Sequence, residues 1–202
     1  MKKPPFNLGL SALMSLGVAL CIIGCRQIPG TGADTASHFT PKCSGLFVLT
    51  SSTVTNGGAL PVEFTGDGNS STLPLEWTGA PPETKRYAVI MHHIDPQGMT
   101  KWYWTLYNIP ANIRSLPKNV TGIGTLGNNS VNHKTGYAPP HSKGPGPKNY
   151  ILTVYALSAP VEISVPPSEV NRSMLLAAMK DSILDSAELR VVYDRTDIIE
   201  RN

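Results

Sequence analysis

Three apolar runs, each bounded by polar and proline residues, constrain this chain most. Tyr87–Ile94 stops at Asp95-Pro96, Trp102–Tyr107 stops at Asn108-Ile109-Pro110, and Tyr150–Leu157 follows the proline- and glycine-rich stretch Gly136–Asn149. Short runs crowded with β-branched and aromatic residues read as buried strands, because a helix would need a longer segment with a 3.6-residue period. Further strand signals lie at Phe47–Thr55, Leu60–Phe64, Leu73–Trp77 and Ala187–Tyr193. Turn sequences such as Asn56-Gly57-Gly58, Gly66-Asp67-Gly68-Asn69 and Gly79-Ala80-Pro81-Pro82 separate them. One helix is expected after Pro166-Pro167-Ser168. There Met174, Leu175, Ala178 and Met179 recur at helical spacing, and Ser168 or Asn171 can cap the N-terminus. Many strands and one late helix predict a mainly β chain, a β-sandwich with a C-terminal helix. Asn112–Pro147 reads as loop, and a loop of that length is usually functional.

The N-terminus carries signals of export. Lys2 and Lys3 precede the apolar stretch Phe6–Ile23, and Ile22-Ile23-Gly24-Cys25 has the form of a bacterial lipobox. Residues 1–24 are therefore expected to be a lipoprotein signal peptide, residues 25–43 a lipidated Cys25 with a flexible tether, and residues 44–202 one domain. An ordinary signal peptide or a single membrane anchor is the alternative, the apolar stretch being close to the lower length limit for a span. The stretch Arg26–Lys42 is rich in Pro, Gly, Thr and Ser. A flexible tether of this length reaches roughly 20 to 25 Å, which would keep the domain close to the membrane surface. Arg26, and not Asp, follows Cys25, which favours outer-membrane attachment in a cell envelope with two membranes.

Charge and cysteine content exclude several classes. Of 17 basic residues, Lys2 and Lys3 would leave with the signal, so 15 basic face 14 acidic residues. Such a balance lacks the clustered cations that nucleic acid requires. Cys21 would also leave and Cys25 would carry lipid, so Cys43 has no partner for a disulfide or a thiolate zinc site. His92, His93, Asp95, His133 and His141 show no metal-ligand spacing, and neither metal nor cofactor is expected. Gly144-Pro145-Gly146-Pro147 leads into a strand and is no phosphate loop, and no Gly-x-Ser-x-Gly elbow occurs. The chain is accordingly expected to be no enzyme. The rival reading is a hydrolase in which Asp95 with Lys148 or His93 does acid–base work.

Asp95 is the leading site candidate, because a carboxylate at the end of a buried strand, held by Pro96, needs a partner or a wet polar cavity. The plainer alternative is that it caps a turn. Strand alternation places His93 on the face of Asp95 and His92 on the opposite face, and His141 lies in the long loop.

Taken together, Asp95-Pro96, Tyr107-Asn108-Ile109-Pro110, Lys143-Gly144 before Tyr150, Val154-Tyr155-Ala156-Leu157 and Ala187–Tyr193 with Arg195 resemble the phosphatidylethanolamine-binding protein family, in its bacterial Raf-kinase-inhibitor-like branch. The resemblance runs from Phe47 to about Arg195. It implies that family's β-sandwich and a small anion pocket lined by Asp95, Pro96 and Tyr150, with His141 in the rim loop. Departures are plain: Gln97 stands where the family's Asp-Pro-Asp motif has its second Asp, and Tyr103 and Lys148 stand where the family has histidines. Lysine only donates and normally stays positive, so Lys148 could attract a phosphate or carboxylate, with Tyr103 and Tyr150 adding hydroxyls. The expected function is that of a membrane-tethered binding protein for a small anionic ligand or phospholipid headgroup. The alternative is an inhibitor or scaffold whose protein target lies in the envelope or outside the cell.

Overall fold

The computed structural model describes residues 46–141 and 146–195, which belong to one compact unit, Lys42–Asn202. Cys25, the tether and Cys43 lie outside the described residues. The elements are β1 (Val48–Thr50), β2 (Gly58–Ala59), β3 (Leu75–Thr78), β4 (Arg86–Ile94), β5 (Thr100–Pro110), β6 (Ser115–Leu116), β7 (Thr125–Leu126), β8 (Lys148–Leu157), α1 (Arg172–Met179) and β9 (Ile183–Tyr193). They form a three-stranded sheet, β1-β3-β6, and a six-stranded sheet, β2-β9-β8-β4-β5-β7. All ladders are antiparallel except the short pairing of β2 with β9.

The expected sandwich with one C-terminal helix is the observed architecture. One core lies between the sheets, where Leu49, Leu75, Trp77 and Leu116 of the small sheet meet Tyr87, Val89, Met91, Trp104, Leu152, Val154 and Val191 of the large one. A second core lies on the other face of the large sheet, where Ala88, Ile90, Tyr107 and Leu157 pack with Val161, Val170, Leu175 and Met179. Burial on both faces explains why β4 reads as an unbroken apolar run. Helix α1 begins at Asn171, whose side-chain oxygen accepts from Met174 N at 2.9 Å and so satisfies one of the N–H groups that the first turn leaves bare. Leu175 and Met179, one turn apart, are its fully buried anchors; truncating a leucine in such a place costs about 2–5 kcal/mol.

Three expectations are corrected in detail. Leu60–Phe64 is no strand: Val62–Phe64 makes a 3₁₀ turn closed by Thr65 N to Val62 O at 3.0 Å, with Phe64 alone buried among its three residues. Pro61 supplies no N–H for a ladder and its fixed φ suits the start of a turn. Phe47–Thr55 shrinks to Val48–Thr50, because Ser51 and Thr53 bond each other locally (hydroxyls 3.1 Å apart) and leave the ladder. Asn112–Pro147 holds β6, β7 and an isolated bridge between Asn128 and Thr135. In the other direction β9 is longer than expected, starting at Ile183.

Candidate functional site

The end of the large sheet where β4 exits and β8 enters collects most of the predicted site residues. Between β4 and β5 the register skips: Met91 faces Trp104 and His92 faces Trp102, which leaves Tyr103 as the extra residue of a bulge. Bulges re-aim side chains, and this one has two effects. Tyr103 and Trp104 both enter the inter-sheet core, and the Tyr103 carbonyl is released from the ladder to accept Ala138 N at 2.8 Å. The long loop is thereby fastened beside the strand end.

Tyr150, fully buried on β8, is the centre of the cluster. Tyr103 stands edge-on to its ring, with centroids 5.2 Å apart, and the His93 ring lies 5.4 Å away on another side. His93 Nδ1 is 2.9 Å from the Asn149 carbonyl. A carbonyl only accepts, so Nδ1 is the donor of this bond. The Tyr150 hydroxyl makes no hydrogen bond of standard geometry. Burial first, and then the neighbouring hydroxyls of Tyr103, Tyr137 and Tyr193, push its pKa well up, so it is a neutral donor. The Tyr103 oxygen is near enough to be felt in that titration without closing a bond of standard geometry. Burial likewise raises Tyr103.

Asp95 sits at the β4 exit, and its Oδ1 accepts from Gln97 N at 3.1 Å and Met99 N at 2.8 Å. With Asp95 N to Met99 O at 2.9 Å and Gly98 N to Asp95 O at 2.9 Å, it organises the tight turn to β5, in which Pro96 is exposed. Lys148 is half-buried at the start of β8, in register with Tyr193 of β9, and so at the same sheet end as Tyr150. His141 packs directly on Gly66: a Cβ there would come within 2.6 Å of His141 Nδ1, and Gly66 N donates to Pro140 O at 2.8 Å. His93 and Tyr103 therefore each pack against Tyr150, Asp95, Pro96 and Lys148 frame the same end, and His141 belongs to a neighbouring group.

That group centres on Asp67, which the sequence offered only as part of a turn. Its Oδ2 accepts from the Tyr193 hydroxyl at 2.5 Å, and its Oδ1 lies 3.0 Å from Arg195 and 3.7 Å from His141 Nε2. Burial raises the Tyr193 pKa, and the bond to Asp67 raises it further. Tyr137, also missed, donates to Phe64 O at 2.7 Å and stands edge-on to Trp104 at 6.0 Å. Asp67 thus ties the last strand, the 66–69 turn and the loop rim into one wall. Of this group Tyr193, Arg195 and His141 carried a signal through the resemblance, whereas Asp67 and Tyr137 did not.

Among the described residues, no three His, Cys, Asp or Glu gather as a metal site, and no helix is long and apolar enough to cross a membrane.

Comparison with known proteins gives a consistent result. The family model described as phosphatidylethanolamine-binding protein matches residues 50–194. A UPF0098 protein of Methanothermobacter thermautotrophicus is 30% identical over 142 residues, covering 68% of this chain and 92% of its own length. The UPF0098 protein YbcL of Escherichia coli is 30% identical over 165 residues, covering 73% and 87%. The crystal structure of YbcL, described as a new member of the mammalian family, superposes with a TM-score of 0.66 over 73% of this chain and 98% of that one. A homologue from Chlamydia trachomatis, 24% identical, gives 0.68 over 74% and 97%, a likeness of fold.

Proposed function

Because the chain belongs to the phosphatidylethanolamine-binding protein family, we propose that it is a binding protein whose pocket, around Tyr150, takes a small phosphoryl or carboxylate group. The observation that carries the reading is the Tyr150 hydroxyl, a buried donor that closes no hydrogen bond of standard geometry among the described residues. Such a group costs free energy unless something fills the role of acceptor, and an oxyanion is the acceptor that donors collect around. Lys148, at the same sheet end, supplies positive charge. With Nδ1 committed to the Asn149 carbonyl, the neutral form of His93 would offer Nε2 to a donor on the same ligand, such as the amine of a phosphoethanolamine headgroup.

The mechanism is recognition and no bond is made or broken. Asp95 shapes the rim through its turn, and the Asp67 group holds the His141 side of the rim in place. Lipid on Cys25 would tether the domain at the surface of the cell envelope and bring headgroups within reach. A second reading, docking on an envelope or extracellular protein, draws on Ile94 and Met99, which are 52% and 66% exposed on the β4–β5 turn beside the pocket.

Native mass spectrometry of gently purified protein tests the main reading. A co-purified small phosphorylated or carboxylated species, displaced by added phosphoethanolamine, is expected. Protein that stays at its bare mass in the presence of phosphate, phosphoethanolamine and acetate alike would overturn it.

A further inference from the structure

The other face of the large sheet holds a polar group that the Tyr150 pocket does not use. On β4, β8 and β9 the register places His92 opposite Ile151 and Ile151 opposite Arg190, with Thr153 and its partner Glu188 two residues further along the same face. Arg172 is the first residue of α1, the helix that packs on this face through Leu175 and Met179. Its charge is felt both at His92 on β4 and at Tyr155 on β8, which brackets Thr153.

Three side-chain atoms here are buried and have no hydrogen-bond partner: His92 Nδ1, Thr153 Oγ1 and Arg172 Nε. His92 is 7% and Thr153 3% exposed. The Tyr155 hydroxyl is near Thr153 without closing a bond of standard geometry. Native proteins leave few such atoms, and three orphans from three elements on one sheet face are not explained by packing.

Three neighbours on this face are already engaged. Arg190 pairs with Glu188 at 2.7 Å, and Trp102 Nε1 donates to Asn128 O at 3.1 Å and Oδ1 at 3.3 Å. Among the described residues Arg172 has no carboxylate at ion-pair distance. The uncommitted set is one guanidinium Nε–H, one hydroxyl and one imidazole nitrogen that either tautomer or the charged ring can turn into a donor. Three donors with one uncompensated positive charge suit an oxyanion, and would suit a cation poorly.

We infer that His92, Thr153 and Arg172 form a second anion-binding site, on the α1 side of the large sheet, for a small oxyanion such as a phosphate or carboxylate group. An anion there would stabilise protonated His92, whose pKa is about 4 because burial, and then Arg172, disfavour the charge. Binding therefore raises the His92 pKa.

The test is a titration of the full domain with inorganic phosphate and, separately, acetate, followed by NMR at the Arg172 Nε–H and His92 ring resonances. Saturable shifts at both residues and an upward move of the His92 pKa are expected. Arg172→Gln should weaken binding at least about tenfold, the scale of a lost charge-assisted bond, and Thr153→Val, which keeps the shape and removes the hydroxyl, should weaken it measurably. Tyr150→Phe should leave these shifts unchanged, which separates this site from the pocket proposed above. No saturable shift, a His92 pKa that phosphate and acetate leave in place, or equal binding by wild type and the folded Thr153→Val variant would overturn the inference. If acetate alone binds, the ligand is a carboxylate; if phosphate alone, a phosphoryl group. Either result supports the site.

Discussion

Removing the Tyr150 hydroxyl should move stability and affinity in opposite directions. Among the described residues this hydroxyl is buried and closes no hydrogen bond of standard geometry, and a buried donor left so costs about 1–3 kcal/mol in lost hydration. Tyr150→Phe keeps the ring, and with it the contacts to Tyr103 and His93. The free variant should thus be at least as stable as wild type in urea or thermal unfolding. The bound state loses a hydrogen bond to an anionic oxygen, worth about 1.5–3 kcal/mol, which converts to roughly 10- to 150-fold in affinity. Calorimetric titration with phosphate, phosphoethanolamine and acetate at fixed ionic strength measures this beside the melts. Equal affinities would refute the reasoning about the pocket. A large loss of stability would show that the hydroxyl has a structural partner and is no waiting donor.

Four further outcomes can be checked, three from this geometry and one from the lipobox-like sequence before Cys25. Lys148→Ala should weaken phosphate binding roughly tenfold where the site excludes water and less where it is open, read from the salt dependence of the same titration. Asp67→Asn should loosen Tyr193, Arg195 and His141 together and cost about 1–3 kcal/mol in urea unfolding; an unchanged midpoint would contradict the wall it is said to form. His92 binds its proton more weakly folded, at about 4, than unfolded, at about 6.5. Its contribution is complete above pH 6.5 and is lost as pH falls towards 4, by up to about 3 kcal/mol, and His92→Gln should flatten that limb of the stability profile. Cys25→Ser should abolish lipidation and detergent partitioning in a bacterial host while leaving the melt of the domain unchanged, as intact mass and unfolding curves will show.

Much of the fold was legible because both faces of the large sheet are buried. The runs around Val89, Leu106 and Val154 read as strands, and Asn171 was one of the two caps offered, with Ser168. Burial alone misled elsewhere. Leu60–Phe64 buries Leu60 and Phe64, but Pro61 supplies no ladder donor and Val62–Phe64 is a turn. Asn108 shows why a short motif can be structural: its φ is +55°, and its side chain bonds Val161 N at 2.8 Å and Val161 O at 3.0 Å, tying β5 to the segment before α1.

The site was legible strand by strand and obscure across strands. Alternation separated His93 from His92 correctly, since one ring reaches Tyr150 and the other faces the α1 side. It could not show that a bulge turns Tyr103 towards Tyr150, because an inserted residue leaves no mark in the pattern. Nor could it bring Asp67 to Tyr193, 126 positions away. For Asp95 the sequence left two roles open, and the turn bonds of Oδ1 account for its place at the strand end.

The central claim is that Tyr150 donates to a bound oxyanion. A crystal structure of the protein soaked with phosphoethanolamine tests it most directly. The account predicts a phosphoryl oxygen within hydrogen-bond distance, about 2.5–3.0 Å, of the Tyr150 hydroxyl, at the sheet end that Lys148 shares. A headgroup bound elsewhere, with no oxygen of it at the Tyr150 hydroxyl, would contradict it.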